Sequence, residues 1–391
     1  MISKIKELSD LYFTEIVKIR RHLHKHPELS FYETETSKYI KDILNQWEIP
    51  FFEGIANNGI VVNLEGKDPL TSIIALRADF DALPIEEKNE VSYRSINKGV
   101  MHACGHDAHT ASLLGAIRIL NNLKDYWKGT IKFIFQPAEE MLPGGAKQMI
   151  EEGVLENPKV QRIIAQHVFP DLEAGKVGFC RGKYMASTDE LHITIKGKGG
   201  HAALPEDYTN PILVAMNLIS QLDSYFKDQQ DYKCVFAIGF VEALGSTNII
   251  PNSVKLKGTF RAMDESFRAR AHEIMRETTN NLLEGDIDIN FDIRKGYPCL
   301  INDNDLTNRT ISFAKEYMGE DNVVDLPIRM TAEDFAYYSQ LIPSCFYRLG
   351  TANIKRGITA GLHTSKFNID EESLRIGMGL MAYLAIQNLT Y

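Results

Sequence analysis

Leu8, Leu11, Tyr12, Ile16, Ile19 and Leu23 recur at the three- and four-residue steps of an amphipathic helix, which the spacing predicts over residues 5–25, stopping near Pro27. A second helix is expected over 34–47. Residues 59–64 and 72–78 are apolar runs of strand length and read as buried strands. The second runs into Arg77-Ala78-Asp79-Phe80-Asp81, placing carboxylates at a strand's carboxyl end, where open α/β sheets hold their ligands. From Thr110 onward, Leu113, Leu114, Ile117, Leu120 and Leu123 form a helical stripe. A strand over 131–135, a helix over 145–152 closed by Gly153, and a strand over 162–166 that ends in His167 follow.

Between 188 and 296 the pattern changes. Leu191, Ile193 and Ile195 alternate as a strand, Asn210-Pro211 opens a helix, 234–241 is apolar, and Val254, Leu256, Gly258 and Phe260 alternate again. A helix over 265–283 and a strand carrying Ile287, Ile289, Phe291 and Ile293 complete the order β-α-β-β-α-β, the split-βαβ or ferredoxin-like arrangement. After Pro298 the α/β pattern resumes with a helix over 305–318, a strand over 345–349 and a last helix from about Glu371. The expected fold is therefore an α/β domain formed by 1–187 and 297–391, interrupted by an inserted α+β domain over 188–296.

Composition narrows the function. At 391 residues two domains are the natural expectation, and 44% hydrophobic with 24% charged residues is a globular balance. The net charge of −9, with no basic block, argues against a nucleic-acid partner. The first residues lack the apolar core of a secretion signal and no run of about 18 apolar residues occurs, so no membrane association is expected. Five scattered cysteines make a disulfide framework improbable, and the expected location is the cytoplasm.

The candidate chemistry concentrates in residues 101–110, MHACGHDAHT. Three His, Cys104 and Asp107 within ten residues form a donor set suited to a transition metal; the competing reading, a buried cysteine beside ordinary histidines, does not account for that density. In an extended segment Cys104 and His106 would point to one side. Glu139 and Glu140 follow a strand and would face opposite ways, so one could bind metal while the other faces substrate and takes a proton from water. His167 is a further donor at a strand end, and His201 follows the flexible run Gly197-Lys198-Gly199-Gly200 in the inserted domain. His22, His24 and His26 alternate on a helix and so cannot share one face; positions in solvent or behind a metal site are expected of them.

In this order along the chain, RADFDALPIEE (77–87), MHACGHDAHT (101–110), FQPAEE (135–140), HVFP (167–170), GGHAALP (199–205), TAEDF (331–335) and LHTSKF (362–367) resemble the M20 metallopeptidase family. Its amidohydrolase group, with hippurate hydrolases, N-acyl-amino-acid deacylases and auxin-conjugate hydrolases, is the nearest. The resemblance implies a metal-bearing catalytic domain with an inserted dimerisation or lid domain. It implies that Cys104, His106, Glu140, His167 and His363 bind two divalent ions, Mn²⁺ or Zn²⁺ and otherwise Ni²⁺ or Co²⁺, with Glu139 as general base. Where the peptidase branches carry a metal-binding His, this chain has Arg77, which puts Asp79 behind the ligands instead of orienting one. The resemblance also makes His201 an oxyanion donor reaching into the partner subunit of a homodimer, and Asn248 and Arg261 candidate clamps for a substrate carboxylate. The implied activity is hydrolysis of N-acyl-amino acids; the alternatives are a dipeptidase or aminoacylase of the same family, and a non-catalytic binding protein that keeps the fold.

Overall fold

Strands Ile73–Asp79 and Thr130–Gln136 run side by side in parallel near the middle of an eight-stranded sheet in the computed structural model, which describes residues 1–390. The order across the sheet is Phe52–Ile55, Gly59–Glu65, Thr130–Gln136, Ile73–Asp79, Arg162–Glu173, Ser344–Ala352, Val177–Phe179 and Val323–Asp325. Four neighbours, from Thr130–Gln136 to Ser344–Ala352, form a parallel core, and antiparallel strands flank it on both sides. Every residue of Ile73–Asp79, Thr130–Gln136 and Ser344–Ala352 is buried, as strands covered on both faces must be.

The covering helices come from distant parts of the chain. Ile2–Lys25, His106–Asn122 and Glu372–Leu389 pack against one another, and Leu113, Leu114, Ile117 and Leu120 are fully buried between them and the sheet. Each such side chain contributes about 1.5–3 kcal/mol of burial free energy, which makes this stripe the main anchor of the helix that begins at His106. That helix starts four residues before Thr110, and the strand expected to stop before His167 continues to Glu173. The three shortest strands of this eight-stranded sheet, Phe52–Ile55, Val177–Phe179 and Val323–Asp325, left no alternation long enough to read.

The chain divides into two compact units. One comprises Met1–Gly182, Ile301–Pro327 and the residues from Asp334 on; the other comprises Lys183–Leu300 with Ile328–Glu333. The second unit is α+β, with an antiparallel sheet in the order Cys234–Glu242, Ser253–Ala262, Asp189–Lys196 and Asp288–Lys295. Helices Pro211–Lys227 and Glu265–Asn280 pack together on it around Leu191, Ile193, Leu218, Leu222, Leu256 and Phe260. The sequence chemistry of the helix starts is visible directly: Asn210 Oδ1 accepts from Ile212 N at 3.0 Å, and Asp264 Oδ1 accepts from Phe267 N at 2.9 Å. The connection order β-α-β-β-α-β is the one the alternation predicts.

One buried charge cluster ties this second unit together. Asp189, fully buried, accepts hydrogen bonds from Arg268 Nε at 3.0 Å, His272 Nε2 at 2.6 Å and Gly296 N at 3.2 Å, and pairs with Arg268 Nη2. Burial opposes its charge, but the His272 and Arg268 hydrogen bonds outweigh burial and hold the carboxyl below its usual range. The Asp189→Asn variant removes the buried partner of Arg268, leaving it only the part-buried Glu265 at 3.2 Å, and should lower the opening free energy of this unit by up to about 3 kcal/mol, read as amide exchange in Ser253–Ala262. Because the native pKa is depressed, the contribution is whole above about pH 4, and the gap between wild type and variant should narrow as pH falls through the native value.

Candidate metal centre

The parallel strands deliver their carboxyl ends to one place in the first unit. Ile73–Asp79 leads to Asp79 and Asp81, Thr130–Gln136 to Glu139 and Glu140, and Arg162–Glu173 carries His167 two residues beyond its last rung with Ile73–Asp79, the Arg77–Ala165 pair. Cys104 precedes the helix, and His106 is the first residue in it. The segment between them is not extended, as the alternation suggested, because Gly105 adopts φ +85° and turns the chain into the helix. His363, at φ +58°, is brought in by its backbone: its N–H donates to Ala103 O at 2.8 Å.

Within this cluster, His167 Nε2 lies 3.5 Å and His363 Nε2 3.3 Å from Cys104 Sγ. Glu140 Oε1 stands 3.2 Å from His363 Nε2 and 4.0 Å from His106 Nε2, and Glu139 Oε2 is also 4.0 Å from His106 Nε2. Two groups of donors close enough to hold an ion, Cys104 with His106 and His167, and Cys104 with Glu140 and His363, share the thiol. His106 Nε2 and Glu140 Oε1 are buried and take part in no hydrogen bond. Buried polar atoms of that kind are costly unless something satisfies them, and a soft thiol among imidazoles and a carboxylate is a donor set for a divalent transition metal. The residues present therefore fit a pair of cations.

The surroundings fix how these donors point. Asp81 Oδ1 accepts from His106 Nδ1 at 2.9 Å, so Nε2 is the nitrogen left to face a cation once its proton is displaced; the Asp81 Oδ2 accepts from Ser30 Oγ at 2.7 Å and Glu140 N at 2.9 Å. Asp79 bonds no candidate ligand directly: it accepts from His109 Nδ1 at 2.6 Å and Arg77 Nη1 at 2.6 Å. Arg77 also donates to Asp334 Oδ1 at 2.7 Å and to Gln136 Oε1 at 2.9 Å, and the Asp334 N–H reaches Glu139 Oε1 at 3.3 Å. On the far side, His24 is buried and bridges Asp107 at 2.8 Å and Glu87 at 3.2 Å, with Arg20 paired to Asp107 at 2.7 Å. Near the surface, by contrast, His22 stacks on Tyr39 with His26 tilted beside it.

The field is strongly negative. Burial favours the neutral form of His106, yet the charges of Asp79 and Asp81 outweigh it and raise its pKa to about 10. Burial and the charges of Glu140 and Glu139 push the Cys104 thiol well above its usual range, so a cation must displace a proton to take it as a ligand.

His201, Asn248 and Arg261 belong to the second unit. Two of them are neighbours: Gly200–His201 pairs with Ile249–Ile250, and Ala202 N donates to Asn248 O at 3.0 Å, leaving both side chains exposed. Arg261 donates to Met330 O at 3.1 Å. Asp81, His109, Gln136 and Asp334 were not assigned site roles from the sequence. The two-residue spacing of Asp79 and Asp81 was visible, but which aspartate meets which histidine depends on the strand ending at Asp79.

Carboxyl ends of a parallel sheet converging on cation donors, with one more carboxylate beside them, are the working parts of a metal-dependent hydrolase. Comparison with known proteins agrees. Residues 75–387 match the peptidase family M20/M25/M40, and the chain belongs to that family. It is 37% identical over 379 residues to the N-acetylcysteine deacetylase of Bacillus subtilis, covering 96% of this chain and 97% of that one. It is 35% identical over 390 residues to thermostable carboxypeptidase 2 of Saccharolobus solfataricus, covering 98% and 96%. Among solved structures, the YxeP protein of Bacillus subtilis, a dinuclear metal-binding peptidase of the M20 family, is similar with a TM-score of 0.84 at 35% identity, covering 97% of this chain and 99% of that one. The protein is thus an enzyme that acts on amide bonds.

Gly105 offers a direct test of how the centre is built. A Cβ there would lie 2.4 Å from Val168 Cγ2, on a backbone that L side chains rarely adopt. Gly105→Ala should lower the metal content of the purified protein and its melting temperature together, measured by elemental analysis and calorimetry; normal metal content would show that the turn does not set the donors.

Proposed function

We propose that the enzyme hydrolyses N-acyl-amino acids to a carboxylic acid and a free amino acid. The observation that carries this reading is the thiol of Cys104 common to two donor groups, with Glu139 beside them. Cys104, His106, Glu140, His167 and His363 would hold two divalent ions; thiolate and imidazole favour Zn²⁺ or Mn²⁺, with Ni²⁺ or Co²⁺ as the other candidates. When bound, such a pair acidifies water and polarises a carbonyl.

The chain's own groups do the rest. Glu139, held at Oε1 by the Asp334 N–H, takes the proton of the attacking water at its other oxygen and later returns it to the leaving amine. His201 donates to the developing oxyanion, and Asn248 and Arg261 receive the substrate carboxylate, Arg261 with the donors that Met330 O does not occupy. In this reading the first unit is catalytic, and the second is the dimerisation or lid domain of a cytoplasmic homodimer whose sites are completed in trans. No helix among the described residues is long and apolar enough to cross a membrane.

A peptidase reading has the likeness to carboxypeptidase 2 in its favour. Chemically a peptide is an N-acyl-amino acid with a larger acyl group, so the two readings differ in the acyl pocket and not in the reaction. Acetyl-, benzoyl- and succinyl-amino acids should release amine when assayed with Mn²⁺, Zn²⁺, Ni²⁺ and Co²⁺ in turn; turnover of free dipeptides alone would overturn the deacylase reading. Glu139→Gln should keep its metal while losing about 10²–10⁴ in rate, whereas Glu140→Gln should lose metal. Equal metal loss in the two would reverse their roles.

The trans arrangement is tested by subunit mixing. His201→Ala should lose about 10²–10³ in turnover. Co-refolded with Glu139→Gln protomers, it should regain up to about a quarter of wild-type activity, because random pairing gives about half heterodimers, each with one intact site. Heterodimers without recovered activity would place His201 outside the partner's site.

A further inference from the structure

His109 sits among the candidate ligands, fully buried, and its ring centroid is 4.5 Å from that of His167 and 5.3 Å from that of His106. With Asp79 and His106 it even forms a group compact enough to hold an ion. Its hydrogen bonds point to another role. Nε2 accepts from the backbone N–H of Val168 at 2.9 Å, so it carries no proton, and Nδ1 must be the nitrogen that donates to Asp79 Oδ1 at 2.6 Å. Both ring nitrogens are thereby committed, Nδ1 as donor and Nε2 as acceptor. Asp79 is committed as well, since its second oxygen takes the Arg77 guanidinium at 2.6 Å.

The receiving peptide is the significant one. Val168 follows His167, and its carbonyl accepts from His167 Nδ1 at 2.7 Å. That bond leaves Nε2 of His167 as the lone-pair nitrogen facing Cys104. The residue is gripped at three points: N–H by His109, C=O by the His167 ring, and Cγ2 against Gly105 of the Cys104–His106 turn. The N–H and C=O of Val168 lie in the two peptide groups that meet at its Cα, and with one held by His109 and the side chain packed under the turn, the other is fixed in place to set the tautomer and direction of the His167 ring bonded to it.

We propose that His109 is a positioning residue and not a metal ligand: the chain Arg77, Asp79, His109 and the Val168 backbone orients His167 toward the cations. The inference rests on the metal reading above, and it adds to the sequence expectation for Asp79, a place behind the ligands, an indirect hold on one of them. Asp79 acts on a ligand at one remove, through a neutral histidine used as a rigid spacer between a carboxylate and a backbone N–H. Arg77, in the place where the peptidase branches are expected to carry a metal-binding histidine, is the fixed charge at the far end of that chain.

Zn²⁺ affinity and stoichiometry of the apoprotein, measured by chelator competition and elemental analysis, separate the possibilities. Wild type, His109→Leu and His109→Gln should each bind two Zn²⁺ per chain. His109→Leu, which cannot accept from Val168, should bind about 10–100-fold more weakly, the usual cost of losing a partner behind a ligand. His109→Gln keeps a carbonyl acceptor and should recover most of that loss. One Zn²⁺ in place of two in His109→Leu would make His109 a ligand and overturn the proposal. Unchanged affinity with a lowered melting temperature of the apoprotein would reduce it to packing, and also overturns it. Wild type that binds no Zn²⁺ would overturn the metal reading itself, a result distinct from both. Should His109→Leu fail to fold, the wild-type protein still decides: the proton on His109 Nδ1 must persist in nitrogen-edited spectra when Zn²⁺ is added, with no metal-induced shift at Nε2.

Discussion

A buried guanidinium holds this centre together. Arg77 lies inside a central strand, 1% exposed, and its N–H groups reach Asp79, Asp334 and Gln136. Asp79, Asp81, Glu139 and Asp334 are buried near one another with Glu140 at their edge, and so many carboxylates would repel in a medium of low dielectric. One fixed positive charge neutralises part of that density permanently, and the remainder is left for cations to satisfy. Because arginine cannot lose its proton under any condition the fold survives, the partition between permanent and exchangeable charge does not drift with pH.

From Arg77 the order spreads in two directions. Toward Asp79 it reaches the histidine side of the cluster; toward Asp334 and its N–H it reaches Glu139. The backbone carries strain at the same places. Ala138, next to Glu139, and His363 both have positive φ without being glycine, conformations that cost about 1–3 kcal/mol each and persist only when their surroundings over-determine them. Glu33 Oε1 accepts from Ala138 N at 2.8 Å, and Ala103 O accepts from His363 N at 2.8 Å, which supplies that determination.

Much of this was legible in the sequence. The helices and long strands follow from apolar spacing, and the β-α-β-β-α-β order of the second unit follows from alternation and from Asn210-Pro211 at a helix start. The donor-rich residues were legible as chemistry because thiol, imidazole and carboxylate groups rarely crowd together by chance. What periodicity could not supply was direction. The turn at Gly105 converts an apparently extended pair into a loop residue and a helix start, and His167 continues a strand where a strand end was expected. The pairing of Asp81 with His106 and of Asp79 with His109 depends on a strand terminus and on rotamers, neither of which leaves a period in the chain.

His363 N and Ala103 O close the centre across a long stretch of chain, and His363 Nε2 meets Cys104 Sγ from 259 residues away. All of the second unit, Lys183–Leu300 and Ile328–Glu333, is made between His167 and His363. During synthesis a ribosome therefore releases four of the five donors long before the fifth exists, and contacts of such separation form late in folding. A half-built donor set is open to whatever ion is abundant in the cell, with none of the geometry that would discriminate among ions. Discrimination among ions therefore needs the completed chain, because the last donor comes from its final part.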